Sequence, residues 1–192
     1  KIYGLEEMGL SPNQSIAIGS RKENLFSTAT VLSITLQNWS KAVLLANKIF
    51  LYADIELNKS EQVHEKPLLP GALNFLKQLK KNGIKCALIS NDTKQGILNF
   101  IEINNLSFLN FDCWSCEDNP TKPNPEAVNR LCKRMDLTPS ECILIGDADT
   151  DLKMGLDARI GLAIGFQGGW EIKPDISFNK NLVHGWDELS IK

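Results

Sequence analysis

At 192 residues, 43% of them hydrophobic, the chain can form one α/β domain, or a core of ~120–150 residues with a small appendage. A net charge of −2 with 23% charged residues offers no field for nucleic acid or an anionic membrane surface, which leaves small soluble partners. Apolar runs stop well short of the ~18–20 residues a membrane span needs and no signal peptide opens the sequence, so a cytoplasmic protein is expected. Cysteines at 86, 113, 116, 132 and 142 are odd in number and suit reduced core thiols better than a disulfide framework.

In chain order, residues 5–60 carry helical signals and no convincing strand. Ser20 with Glu23 forms a capping-box pattern, and Ser40 can cap a second amphipathic run, "KAVLLANKIFLYADIEL". After the linker "NKSEQVHEKP" the rhythm changes. Pro70 opens a helix that Gly83 stops, "IKCALIS" is a strand, "TKQGILNFIEINN" a helix and "FDCWSC" a strand. A helix over "PEAVNRLCKRMD", the strand "CILIG", a helix from Asp149 to Ala158, the strand "IGLAIGF" and a weak strand at "ISF" complete the series. Short apolar strands alternating with helices indicate a parallel sheet covered on both faces, hence a doubly wound α/β fold.

Ligands in such sheets bind at the carboxyl ends of the strands. One strand here ends in Ser90-Asn91-Asp92 and another in Gly146-Asp147, while Lys122 lies between them in the proline-rich loop "NPTKPNP". A small hydroxyl, an ammonium and carboxylates at one sheet edge suit a phosphate and a divalent cation. Each piece has a plainer reading. Ser90 or Asp92 can cap a helix, Lys122 can be a solvated loop charge, and Asp149 and Asp151 can be first-turn acids on a helix dipole. Their order along the chain and their placement at strand ends favour the joint reading.

The segments "LLPGALNFLKQLKKNGIKCALISND", "FDCWSCEDNPTKPNPEAV" and "ILIGDADTDLKMGLDARIGLAIGF" closely resemble the successive motifs of the haloacid dehalogenase-like hydrolases, particularly the phosphoglycolate phosphatase branch. The resemblance covers residues 67–190. It implies a Rossmann-like core over 67–192, with residues 1–62 as the remainder of a helical cap; a plain helical extension is the alternative. It also implies that Ser90, with Asn91 beside it, binds the transferring phosphoryl group and that Lys122 stabilises negative charge. Asp147 becomes a Mg²⁺ ligand and Asp151 a ligand or an acceptor for the ion's waters. Asp149 is then a helix-start acid facing water.

The sequence departs from the family pattern in one respect. The family's nucleophile, the first Asp of an Asp-x-Asp motif after an apolar strand, has no counterpart in residues 1–66, where Asp54 stands isolated in a helical context. "DADTD" could be read as that motif, but Gly146 before it and its position after the serine and lysine motifs favour the metal-binding reading. The strand that carries the nucleophile is central to the family's sheet, so its loss would expose unpaired edges. The expectation is a chain lacking some tens of N-terminal residues of a Mg²⁺-dependent phosphatase. The complete protein would act on a small phosphorylated metabolite through an aspartyl-phosphate, and this chain alone would be inactive. The alternative is a non-catalytic phosphate- and Mg²⁺-binding or scaffold protein. Oligomeric state is not legible. Cys113-Trp-Ser-Cys116 lacks a second pair, His64 and His184 read as surface residues, and "GFQGGW" reads as a tight turn that could approach the site rim.

Overall fold

The computed structural model describes residues 5–6, 9–12, 14–59, 67–178 and 180–191. Two short strands, β1 (Leu5–Glu6) and β2 (Gly9–Leu10), pair antiparallel at the start, where a purely helical region was expected. Helices α1 (Ser15–Ile18), α2 (Arg21–Leu36) and α3 (Trp39–Lys59) follow. The capping box forms as its spacing predicts. Glu23 N–H donates to Ser20 Oγ at 3.3 Å and Ser20 N–H to Glu23 Oε2 at 2.6 Å. Helix α3 is capped by Asn38 rather than Ser40, since Asn38 Oδ1 takes the Lys41 N–H at 2.9 Å and the helix is already running at Trp39. Ala29, Ala42 and Ala46, all with no exposed surface, let α2 and α3 approach closely, and Arg21 reaches across to Asp54 and over the Phe50 ring. His64 of the linker lies outside the described residues.

The α/β portion begins with α4 (Ala72–Lys81), which Gly83 ends in the left-handed conformation, φ +68°, as a helix stop requires. Then come β3 (Ala87–Ile89), α5 (Lys94–Ile103), β4 (Asp112–Trp114), α6 (Pro125–Arg134) and β5 (Ile143–Gly146). The series ends with α7 (Asp149–Asp157), β6 (Leu162–Phe166) and β7 (Leu182–Val183). The weak terminal strand is therefore at 182–183 and not at "ISF". Residues 176–178 form no strand, and the N–H groups of Ser177 and Phe178 donate to Asp149 instead.

Every strand of this portion pairs parallel, but in two separate sheets, β3–β4 and β5–β6–β7. Among the described residues neither β3 nor β5 has a ladder partner on its second edge. The two halves nevertheless share packing. Ile89 of β3 touches both the cluster of Val128, Leu144, Leu152 and Met154 and the cluster of Trp114, Ala127 and Leu131. A parallel strand between β3 and β5 would join the halves into one continuous sheet, and parallel strands are stable where both faces are covered. Ser90 follows the carboxyl end of β3, and Asp147 that of β5.

Candidate functional site

Lys122 is held by its loop before it makes any contact of its own. Ser115, 1% exposed, donates its N–H and its hydroxyl to Asp118 Oδ2 at 2.7 and 2.9 Å. Trp114 Nε1–H donates to Pro120 O at 2.9 Å, and Arg130 to Asn119 O at 3.0 Å. The loop then turns into α6, capped by Asn124 with Pro125 in the first turn. From this frame Lys122 Nζ meets Asp151 Oδ1 at 2.8 Å, with the two side chains only 16% and 11% exposed. The ammonium is a fixed charge, not a solvated one.

Asp151 reaches that position because residue 146 has no side chain. A Cβ on Gly146 would stand 2.7 Å from Asp151 Cβ and 3.1 Å from its Oδ2, so the first turn of α7 folds back directly over the end of β5. Asp147 continues β5 beyond Gly146, and its Oδ2 accepts the indole N–H of Trp170 at 2.8 Å. Asp149 turns away from both. It accepts from Ser177 Oγ at 2.7 Å, Ser177 N–H at 3.1 Å and Phe178 N–H at 3.0 Å, so this part-exposed helix-start acid also fastens the 176–178 segment. Burial pushes its carboxyl up, but the Ser177 hydroxyl and the two N–H groups together hold it below the usual carboxylate range.

At the end of β3, Ser90 N–H extends the ladder to Trp114 O at 2.9 Å, and Ser90 Oγ accepts from Asp92 N–H at 3.1 Å. The cap of α5 is neither Ser90 nor Asp92 but Thr93, whose Oγ1 accepts from Gly96 N–H at 3.0 Å. Asn91 Nδ2 donates to Ile18 O at 2.8 Å, which ties α1 to the strand end; its Oδ1 is buried with no partner among the described residues. Asn91, Lys122 and Thr150 line a shared cavity of about 100 Å³ with Ile18, Gly19 and Glu23. Ser90 lines a separate one of about 300 Å³, with Asp92 and Ile97. The β3 end, the lysine loop and the start of α7 therefore meet, while Ser90 opens toward a neighbouring space.

The Cys113 and Cys116 thiols are not activated. Burial pushes the Cys113 and Cys116 thiols up, and burial with the Cys142 sulfur 3.7 Å away pushes Cys132 up to about 12. Among the described residues no three His, Cys, Asp or Glu side chains cluster as a metal cage, so Asp147 and Asp151 would provide part of a shell. Two hard carboxylate donors are of the kind Mg²⁺ takes, an ion that keeps several waters and shares ligands with substrate. The contact of Trp170 with Asp147 is the feature of this region least visible in the sequence. Its only signal was the Gly-Gly turn after a core strand.

The profile of the haloacid dehalogenase-like hydrolases matches residues 30–159. The chain belongs to that family. It is 29% identical over 110 residues to an uncharacterized hydrolase of Saccharomyces cerevisiae, covering 54% of this chain and 49% of that protein. It is 25% identical over 132 residues to a phosphoglycolate phosphatase of Psychrobacter arcticus, covering 67% of this chain and 56% of that enzyme. The chain thus spans about half the length of these curated relatives. Its fold matches a crystal structure of a predicted phosphoglycolate phosphatase from Haemophilus somnus with a TM-score of 0.59 at 16% identity, over 78% of this chain and 65% of that one. That likeness is one of fold. Among the described residues no helix is long and apolar enough to cross a membrane.

Proposed function

We propose that the whole protein is a Mg²⁺-dependent phosphohydrolase that cleaves a small phosphate monoester through an aspartyl-phosphate. The nucleophilic carboxylate would come from a strand outside these residues that fills the interval between β3 and β5. The observation that carries this reading is the buried Lys122–Asp151 pair, set over Gly146 beside Asp147 at the open strand end. A desolvated ammonium held at one point is suited to charge that develops on a transferring phosphoryl group. Ser90 would donate its hydroxyl to a phosphoryl oxygen. Asn91, whose amide N–H groups face Ile18 O, would hold α1 against the site and close it from water. Residues 1–62 would then act as a cap over the core at 67–192. Asp147 and Asp151 would hold Mg²⁺, which when bound neutralises phosphate charge.

A hydrolysis assay with p-nitrophenyl phosphate and a panel of sugar and glycolate phosphates, with and without EDTA, tests this. The 192-residue chain should be silent, and the longer gene product active and metal-dependent. Turnover by the 192-residue chain that Asp147→Asn abolishes would make "DADTD" the nucleophile motif. A longer product that binds phosphate and Mg²⁺ without turnover would make the protein a binding module.

A further inference from the structure

We propose that Trp170 is a positioning residue for Asp147, fixing the orientation of its carboxylate for metal binding; this rests on the reading of Asp147 as a metal ligand. The indole is delivered by a braced loop. Beyond β6, Gln167 N–H donates to Val183 O at 2.8 Å and Gln167 Nε2 to Pro174 O at 3.0 Å, pinning the loop at both ends. Between these points Gly169 has φ +85°, and a Cβ there would meet Leu69 Cδ1 at 2.7 Å. A Cβ on Gly168 would run into the His184 carbonyl. The turn is therefore wedged between the segment that leads into α4 and the end of β7, and Trp170 has little freedom to leave Asp147.

The choice of partner distinguishes the three aspartates. Asp151 faces a cation, Lys122, which compensates its charge. Asp149 is satisfied by Ser177 and Phe178 and serves the packing of that segment. Asp147 alone of the three is held by a neutral side-chain donor that has no acceptor of its own. An indole N–H orders one carboxylate oxygen without cancelling the negative charge, and it cannot itself coordinate a cation. Hydrogen-bonding partners of metal-binding carboxylates act in this way, and their loss weakens metal affinity by roughly 10–100-fold.

The test uses ¹H–¹⁵N spectra of the longer gene product, in which the indole signals of Trp39, Trp114, Trp170 and Trp186 are assigned by triple-resonance methods. Added Mn²⁺ should broaden the Trp170 indole signal first, before those of Trp39, Trp114 and Trp186, and Asp147→Asn should remove the effect. Trp170→Phe, which keeps the ring and deletes the donor, should retain the wild-type melting temperature and lose roughly tenfold or more in Mg²⁺ affinity by calorimetry. Asp147-dependent metal binding with Trp170 unbroadened and the phenylalanine variant equally tight would overturn the positioning role and leave the metal site standing. Absence of Asp147-dependent binding by the longer gene product, even at millimolar Mn²⁺, would overturn both.

Discussion

Lys122 Nζ lies 2.8 Å from Asp151 Oδ1, and neither side chain has more than 16% of its surface in contact with solvent. The pair joins two segments 29 residues apart in sequence, the loop before α6 and the first turn of α7. Screening by water is weak there, so removal of one partner leaves an uncompensated charge. Lys122→Ala should destabilise the 192-residue chain by about 3 kcal/mol, and the Lys122→Ala, Asp151→Asn double variant by less than the two single effects added. Urea denaturation measures both. Strict additivity would mean that the two groups are solvated separately. In an active longer protein the same Lys122→Ala change should slow turnover by roughly 100-fold or more.

Gly146 is required by a close approach and not by its dihedrals. A methyl group there would press on Asp151 Cβ at 2.7 Å and displace the first turn of α7 from the strand end. Gly146→Ala should cost about 1–3 kcal/mol and disturb the Lys122–Asp151 contact. Thermal melting gives the first quantity and a crystal structure of the variant the second. A variant as stable as wild type with Asp151 unmoved would contradict the packing described here.

The sequence carried the α/β alternation and the site's ingredients because both rest on local patterns. The capping box at Ser20, the helix stop at Gly83 and the apolar runs of β3, β4, β5 and β6 each fall within a few neighbouring residues. What it did not carry was decided at long range. Asp149 reads as a helix-start acid, to which the fold adds its bonds with residues 177 and 178, and Trp170 reads as part of a turn until the loop brings its N–H to Asp147. The last strand, at 182–183 and not at "ISF", is likewise set at long range. Asp149 engages the N–H groups of Ser177 and Phe178, while Leu182 and Val183 pair with Gly165 and Phe166. Asn38 displaced Ser40 as a cap because Trp39 was already helical, a boundary that propensity locates poorly.

The loop that presents Lys122 should be acid-sensitive through Asp118. The Ser115 backbone N–H, reinforced by its hydroxyl, holds the Asp118 carboxyl below the usual carboxylate range. A carboxyl whose folded value lies below its unfolded one binds protons more readily when unfolded, so its contribution is complete above the unfolded value. That contribution fades as pH falls through the folded one. The stability difference between wild type and Asp118→Asn should therefore be constant near neutrality and shrink as the solution is acidified below about pH 4. Denaturation curves for the two proteins across that range test it; a difference that grows on acidification would reverse the assignment.

The three aspartates of "DADTD" should separate by phenotype, since the structure gives each a different partner. Asp149 accepts hydrogen bonds from Ser177 and Phe178, so Asp149→Ala should unfasten residues 176–178. The loss of those charge-assisted bonds should cost about 1–3 kcal/mol. Hydrogen exchange should accelerate at Ser177 and Phe178, while Mg²⁺ affinity changes little. Asp147→Asn should do the opposite, because an amide oxygen can still accept from the Trp170 indole but carries no charge for a cation. Its melting temperature should stay near wild type and its Mg²⁺ binding should vanish. Calorimetry with Mg²⁺ alongside thermal melts of both variants distinguishes the roles. Loss of metal binding in Asp149→Ala with Asp147→Asn unaffected would exchange the two assignments and move the metal site from the end of β5 to the first turn of α7.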